Sequence, residues 1–131
     1  MDSQVRRTVL VVDDSPTILQ VVRSVLTQQG YDVVVAPTGE EGLRLAEERR
    51  PDLVLVDIMM PGMDGYTMVT RMQQDRRLPV VVLSAKSQEE LGDLFLGRIS
   101  GWLEKPFRPA DLVDAVVRAL KSSDKRAADS V

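Results

Sequence analysis

Five residues in four separate stretches carry side chains that could do chemistry together: the acidic pair Asp13–Asp14, then Asp57, then Ser84, then Lys105. Two carboxylates about 4 Å apart repel by on the order of 4 kcal/mol at an effective dielectric near 20. Three of them brought together therefore need a cation, a raised pKa, or both. The chain has neither histidine nor cysteine, so the ligands for such a cation are all oxygen. That donor set favours Mg²⁺, with Mn²⁺ as a substitute. Lys105 on the far side would supply a point positive charge for an anion beside the metal. Metal, lysine and hydroxyl around one carboxylate suit phosphoryl transfer, where positioning and charge neutralisation supply nearly all of the catalysis. Taken singly, each residue has a plainer reading. The acidic pair is a turn with Asp14 or Ser15 capping a helix, Asp57 opens a loop, Ser84 is another cap, and Lys105–Pro106 is a turn. The weight lies in four loops offering complementary groups at once.

These groups meet only if their loops lie along one edge of the fold. Short apolar runs rich in β-branched residues occur at 8–12, 32–36, 53–56 and 80–83. They are too short for helices and too continuously apolar for half-exposed strands, so they are expected as buried parallel strands, with a further short one at 101–103. Amphipathic segments alternate with them. The first follows the start signal Asp14-Ser15-Pro16 and ends at Gly30; the second opens with Thr38 and Glu41 at capping-box spacing. Others are expected at 64–74, 87–97 and 109–120, the fourth weakened by Gly92 and Gly97. Residues 122–131 are polar and small, and are expected as a frayed end or the start of a linker after a domain at 1–121. Strand–helix alternation of this kind implies a doubly wound α/β fold, a parallel sheet of five strands with five helices over its two faces. Ligands bind such sheets at the carboxyl ends of the strands, where strand order reverses. With the order 2-1-3-4-5, as in flavodoxin-like sheets, the first and third strands are neighbours and the three carboxylates converge.

The bulk composition narrows the function. With 131 residues, 44% of them hydrophobic and 28% charged, the chain can bury a core of its own. A net charge of −3 gives no general attraction to nucleic acid or an anionic membrane. The pairs Arg49–Arg50 and Arg76–Arg77 are expected as solvated helix ends, and only distantly as a binding patch. The absence of cysteine removes disulfides and thiolate chemistry, in keeping with a cytoplasmic location. The absence of histidine rules out a histidine kinase or a histidine phosphotransfer role for this chain. The stretch from Met1 to Arg7 is polar, with no apolar signal region, and nothing later reaches membrane-spanning length.

Several of these motifs, in order and in approximate spacing, resemble the receiver domain of two-component response regulators. They are Asp13-Asp14-Ser15, Asp57-Ile58-Met59-Met60-Pro61-Gly62-Met63-Asp64-Gly65, Ser84-Ala85 and Lys105-Pro106-Phe107. The resemblance covers about residues 8–121. It implies that Asp57 takes a phosphoryl group from a sensor histidine kinase or a histidine phosphotransfer protein. Asp14 would be the main carboxylate ligand of Mg²⁺, Asp13 would act largely through water, and Asp57 and the Met59 carbonyl would complete the protein ligands. Lys105 would pair with phosphoryl oxygens, and Ser84 would hydrogen-bond the phosphate and draw its loop inward. Pro61 and Gly65 would shape the loop, and the Lys105–Pro106 bond would be cis. Met59 and Lys86 stand where the family flanks the phosphate. The output would be a downstream protein or an attached effector domain, with no direct nucleic-acid binding by this chain.

The sequence departs from the family in one region. Trp102 stands where the family usually has Tyr or Phe in its switch, and an indole is larger and carries an N–H that wants a partner when buried. The segment from Ser84 to Lys105 is about one residue short, and Arg98 and Ile99 replace small residues before the fifth strand. Two other readings compete with the phosphorylated switch. One is a degenerate receiver that binds partners without phosphorylation. The other is a haloacid-dehalogenase-like phosphatase, which would want a carboxylate two residues after Asp57, where Met59 stands. The expected chain therefore catalyses only its own phosphorylation and dephosphorylation. No residue points to a particular oligomer.

Overall fold

The computed structural model describes residues 6–95 and 97–129. Five strands, β1 (Thr8–Val12), β2 (Asp32–Ala36), β3 (Leu53–Asp57), β4 (Val80–Ser84) and β5 (Gly101–Glu104), alternate with helices α1 (Pro16–Gln28), α2 (Gly39–Arg49), α3 (Gly65–Met72), α4 (Gln88–Leu91) and α5 (Pro109–Asp129). All neighbouring strands pair in parallel in the order β2-β1-β3-β4-β5, which is the doubly wound, flavodoxin-like arrangement expected. Successive side chains of a strand point to opposite faces. Leu10 and Val12 of β1 thus join Met68, Val69 and Met72 of α3, while Val9 and Val11 join Val22 and Leu26 of α1 and Leu112 and Val116 of α5. Both faces are covered, so β3 and β4 are buried along their whole length and read as unbroken apolar runs.

Local chemistry sets the helix starts. Ser15, and not Asp14, caps α1, accepting the Ile18 amide at 3.3 Å, with Pro16 following. Thr38 caps α2 by accepting the Glu41 amide at 3.1 Å. The expected reciprocal bond is missing there because the Glu41 carboxylate turns to Arg44, at 3.1 Å from Nε. Asp64 caps α3, accepting the Thr67 amide at 2.8 Å. Gly30 follows α1 at φ +94°, a left-handed conformation that glycine adopts without steric cost. α2 ends in the same region on a non-glycine residue, Arg50, at φ 47°.

Three expectations change. The fourth helix does not run unbroken to Gly97: α4 stops at Leu91 and a 3₁₀ turn, Gly92–Phe95, takes over. Gly92 weakens the α-helix by about 1 kcal/mol against alanine, and 3₁₀ geometry holds only for short pieces. The firm part of this segment is its start, a full capping box between Ser87 and Glu90. The sheet also reaches further than expected, so Asp57 and Ser84 are the last residues of β3 and β4, paired in register with Leu83 and Glu104. Finally, α5 does not end near Leu120. Residues 122–129, expected as a loose tail, continue the helix, since the stretch holds no glycine or proline. Arg7 ties it down through an ion pair with Asp124 at 2.8 Å. Ser130 and Val131 of that tail, and Met1–Val5 of the polar start, lie outside the described residues.

Candidate functional site

The order of the sheet assembles the site. β1 and β3 are neighbours with Val12 opposite Val56, so Asp13 and Asp57 emerge side by side at the carboxyl edge. One oxygen each from Asp13, Asp14 and Asp57 lie within 4.8 Å of one another. Asp13 and Asp57 are buried, whereas Asp14 is exposed. Lys105, at the end of β5, reaches back across β4. Its Nζ donates to Asp13 Oδ2 at 2.8 Å and to Asp57 Oδ2 at 3.2 Å. The remaining oxygens of the two buried carboxylates accept backbone amides: Asp13 Oδ1 from Ser15 at 2.9 Å, and Asp57 Oδ1 from Met59 at 2.8 Å. Two of the three carboxylates thus share one ammonium group, with Asp14 beside them.

That imbalance shows in the proton affinities. Burial pushes the Asp13 carboxyl above the usual range, and the charge of Asp57 adds to this. The hydrogen bonds from Lys105 and the Ser15 amide offset only part of it. For Lys105, burial acts to lower the pKa, but the hydrogen bond and charge of Asp13 and the charge of Asp57 outweigh it and hold the ammonium above its ordinary value. An excess of negative charge on convergent oxygen donors fits a hard divalent cation.

Each residue expected at the site can be placed. Ser84 is fully buried at the end of β4, and its Oγ accepts the Lys86 amide at 2.9 Å. Gly65 closes the loop after Asp57: a Cβ there would lie 2.5 Å from Ile58 Cβ. Pro61 stands in the bend of that loop, and the Met59 side chain is exposed above it. The Lys105–Pro106 bond is cis, as expected, and the Lys105 amide donates to the Ser84 carbonyl at 2.7 Å. Trp102 is not part of the cluster. It lies half-buried on β5 against the layer that holds Phe95, edge-on to that ring at 6.2 Å between centroids. Its indole N–H donates to the Lys86 carbonyl at 2.9 Å. Lys86 was expected as a charge flanking a phosphate, by resemblance to the family. Its backbone proves to be the connection, bonded to Ser84 through the amide and to Trp102 through the carbonyl. No side-chain pattern could have signalled a backbone role.

Residues 9–117 match the family described as the response regulator receiver domain. The chain is similar to the DNA-binding response regulator MtrA of Mycolicibacterium smegmatis, with 37% identity over 127 residues covering 95% of this chain and 55% of the relative. It is also similar to the transcriptional regulatory protein AfsQ1 of Streptomyces coelicolor, with 34% identity over 92% of this chain and 54% of the relative. The chain thus spans about half the length of the curated relatives it matches. Among solved structures, the receiver domain protein (CheY-like) of Methanospirillum hungatei superposes with a TM-score of 0.87 at 27% identity, covering 93% of this chain and 99% of that one. The chemotaxis response regulator CheY4 of Vibrio cholerae does so with a TM-score of 0.83 at 33% identity, covering 88% and 100%.

Proposed function

This chain belongs to the response regulator receiver domain family of two-component signalling, and we propose that phosphorylation of Asp57 is its switch. The observation that carries the proposal is the three-carboxylate cluster within 4.8 Å, with a buried Asp57 hydrogen-bonded to Lys105. A carboxylate oxygen of Asp57 attacks the phosphorus of a phosphohistidine on a sensor kinase or phosphotransfer protein. The new P–O bond forms as the P–N bond breaks, and the departing imidazole takes up a proton. Asp13, Asp14, Asp57 and the Met59 carbonyl would hold Mg²⁺, or Mn²⁺ in its place, which neutralises charge on the transferring group when bound.

The chain's own residues do the rest. Lys105 exchanges its bond to Asp57 Oδ2 for one to a phosphoryl oxygen, keeping Asp13 as its anchor. Ser84 keeps its hydroxyl proton to donate to the phosphoryl group, since in its bond with the Lys86 amide it is the acceptor. Any movement of Ser84 toward the phosphate drags Lys86, and with it the carbonyl that holds the Trp102 indole. This makes Trp102 the reporter of the switch. The chain turns over no substrate other than its own phosphate, acts in the cytoplasm, and passes its state to a downstream protein or an attached effector domain. MtrA, about half of whose length this chain spans, is a DNA-binding response regulator, which supports the attached form.

Intact-mass measurement after incubation with Mg²⁺ and acetyl phosphate, then with a cognate kinase, tests the reading. We expect a gain of one phosphate that Asp57→Asn abolishes. A gain that survives in Asp57→Asn, or no gain from either donor, would overturn it.

A further inference from the structure

The fold brings together arginines that are far apart in the sequence, at the end of the sheet opposite Asp57. A depression of about 740 Å³ is lined by Arg76 and Arg77 ahead of β4, Arg98 ahead of β5, and Arg126 of α5. A second depression of about 230 Å³ adjoins it, sharing Arg76, Gln74, Asp75 and Leu78, and adds Arg50 and Arg71. Arg50 and the pair 76–77, which read separately as solvated helix ends, therefore meet on one surface. Burial, and next the charge of Arg50, hold the Arg76 guanidinium below its ordinary pKa.

Elsewhere Arg7, Arg44, Arg108 and Arg118 each hold a carboxylate within 3.1 Å and Arg6 one at 3.7 Å, while among the described residues Arg23 and Arg49 hold none. Around the two depressions Arg50, Arg71, Arg76, Arg77 and Arg98 have no carboxylate within 4.0 Å among the described residues. Asp75, which lines both, forms no ion pair with them, and Glu47 in the smaller one forms none either. Arg76 instead donates to the Pro51 carbonyl. Arg98 lies over the Tyr66 ring at 5.7 Å, which fixes the guanidinium without using its N–H donors. In a chain of net charge −3, this concentrates positive charge in one concave place.

We propose that this basic groove is a docking site for an acidic polypeptide segment, one carrying several Asp or Glu side chains in succession. Guanidinium forks match carboxylates bidentately, and two joined depressions offer forks along a length that a single small anion would leave mostly unused. Neither depression is lined by an aromatic residue on which a nucleobase could stack. β4 is five residues long, so about 16 Å of sheet separates the groove from the phosphoacceptor edge. An acidic partner could therefore bind whether or not Asp57 is phosphorylated, and the proposal stands apart from that reading.

Fluorescence anisotropy of the full chain with a fluorescein-labelled decapeptide of alternating Glu and Asp tests it, with the Gln/Asn peptide as the neutral control. We expect saturable binding of the acidic peptide only. Arg77→Gln with Arg98→Gln should weaken it at least tenfold, and both residues are exposed, so the fold is kept, which a thermal melt verifies. Asp57→Asn and Arg23→Gln, the latter on α1 away from the groove, should leave binding unchanged. The proposal fails if Arg23→Gln weakens binding as much as the groove variant does. It also fails if the groove variant binds normally, or if tripolyphosphate or a 20-base-pair duplex binds the wild type more tightly than the peptide.

Discussion

Replacing Lys105 with methionine keeps a linear side chain of similar length and removes the one cation among three carboxylates. At 2.8 Å from Asp13 and 3.2 Å from Asp57, the gross attractions are about 6 and about 5 kcal/mol at an effective dielectric near 20. Most of that is offset by the cost of taking the charges out of water. Breaking a buried pair by removing one partner leaves a loss of about 3–5 kcal/mol. The Lys105 side chain is 21% exposed, so solvent reaches the site and the loss falls to the bottom of that range or just below it, about 2–3 kcal/mol. In EDTA the variant should melt roughly 6–10 °C below the wild type. Mg²⁺ narrows the difference. The ammonium and the metal would draw on the same two carboxylates, Asp13 and Asp57, so the variant should bind Mg²⁺ more tightly. At a hundredfold excess over the variant's Kd the metal adds about 2.7 kcal/mol to the variant, and the gap narrows by the amount by which this exceeds the wild type's own gain. Thermal and urea unfolding of both proteins, with EDTA and with Mg²⁺, measures all four corners. A loss under about 0.5 kcal/mol in EDTA, or a gap that Mg²⁺ leaves unchanged, would refute the shared-cation picture.

The raised Lys105 pKa means that its stabilisation is complete below the unfolded value and is lost as pH climbs through the folded one. Without metal, the wild type should therefore lose stability above about pH 10.4, the unfolded value, by more than Lys105→Met does, as measured by urea midpoints. Gly65→Ala places a Cβ 2.5 Å from the Ile58 side chain and 2.7 Å from its Cα. Because backbone must move, we expect a loss of about 2–3 kcal/mol in urea unfolding and slower phosphorylation of Asp57; a loss below about 0.5 kcal/mol would mean that the loop is not packed as described. Trp102 is the only tryptophan, so beryllofluoride with Mg²⁺ should alter its emission through the Lys86 carbonyl, and an unchanged spectrum would remove its reporter role. Trp102→Phe should cost about 0.5–1.5 kcal/mol for the lost hydrogen bond, read from the same unfolding curves.

The sheet and the meeting of Asp13, Asp57 and Lys105 at its edge were legible because both are written in local patterns. Buried parallel strands read as apolar runs, and Asp13, Asp57, Ser84 and Lys105 all follow or close such runs, so their common edge was implied by the topology. What could not be read depends on contacts between distant segments. The Glu41 side chain matched a capping box but is drawn to Arg44, a competition that spacing alone does not decide. The continuation of α5 past Leu120 is steadied by Arg7, more than a hundred residues earlier in the chain. The link from Ser84 to Trp102 runs through backbone atoms of Lys86, which no side-chain motif records. Arg98 and Ile99 were visible only as departures from the family pattern. In the fold they line the larger depression.

Arg50 carries a further consequence. It ends α2 at φ 47°, a conformation that opposes L side chains by about 1–2 kcal/mol and suits glycine. A chain selected for thermostability alone would do better with glycine there, because the local geometry is already what glycine prefers. Arg50→Gly should raise the melting temperature and at the same time loosen the acidic peptide from the groove. Opposite signs in those two measurements would mark Arg50 as a residue whose charge is held against the preference of its own backbone.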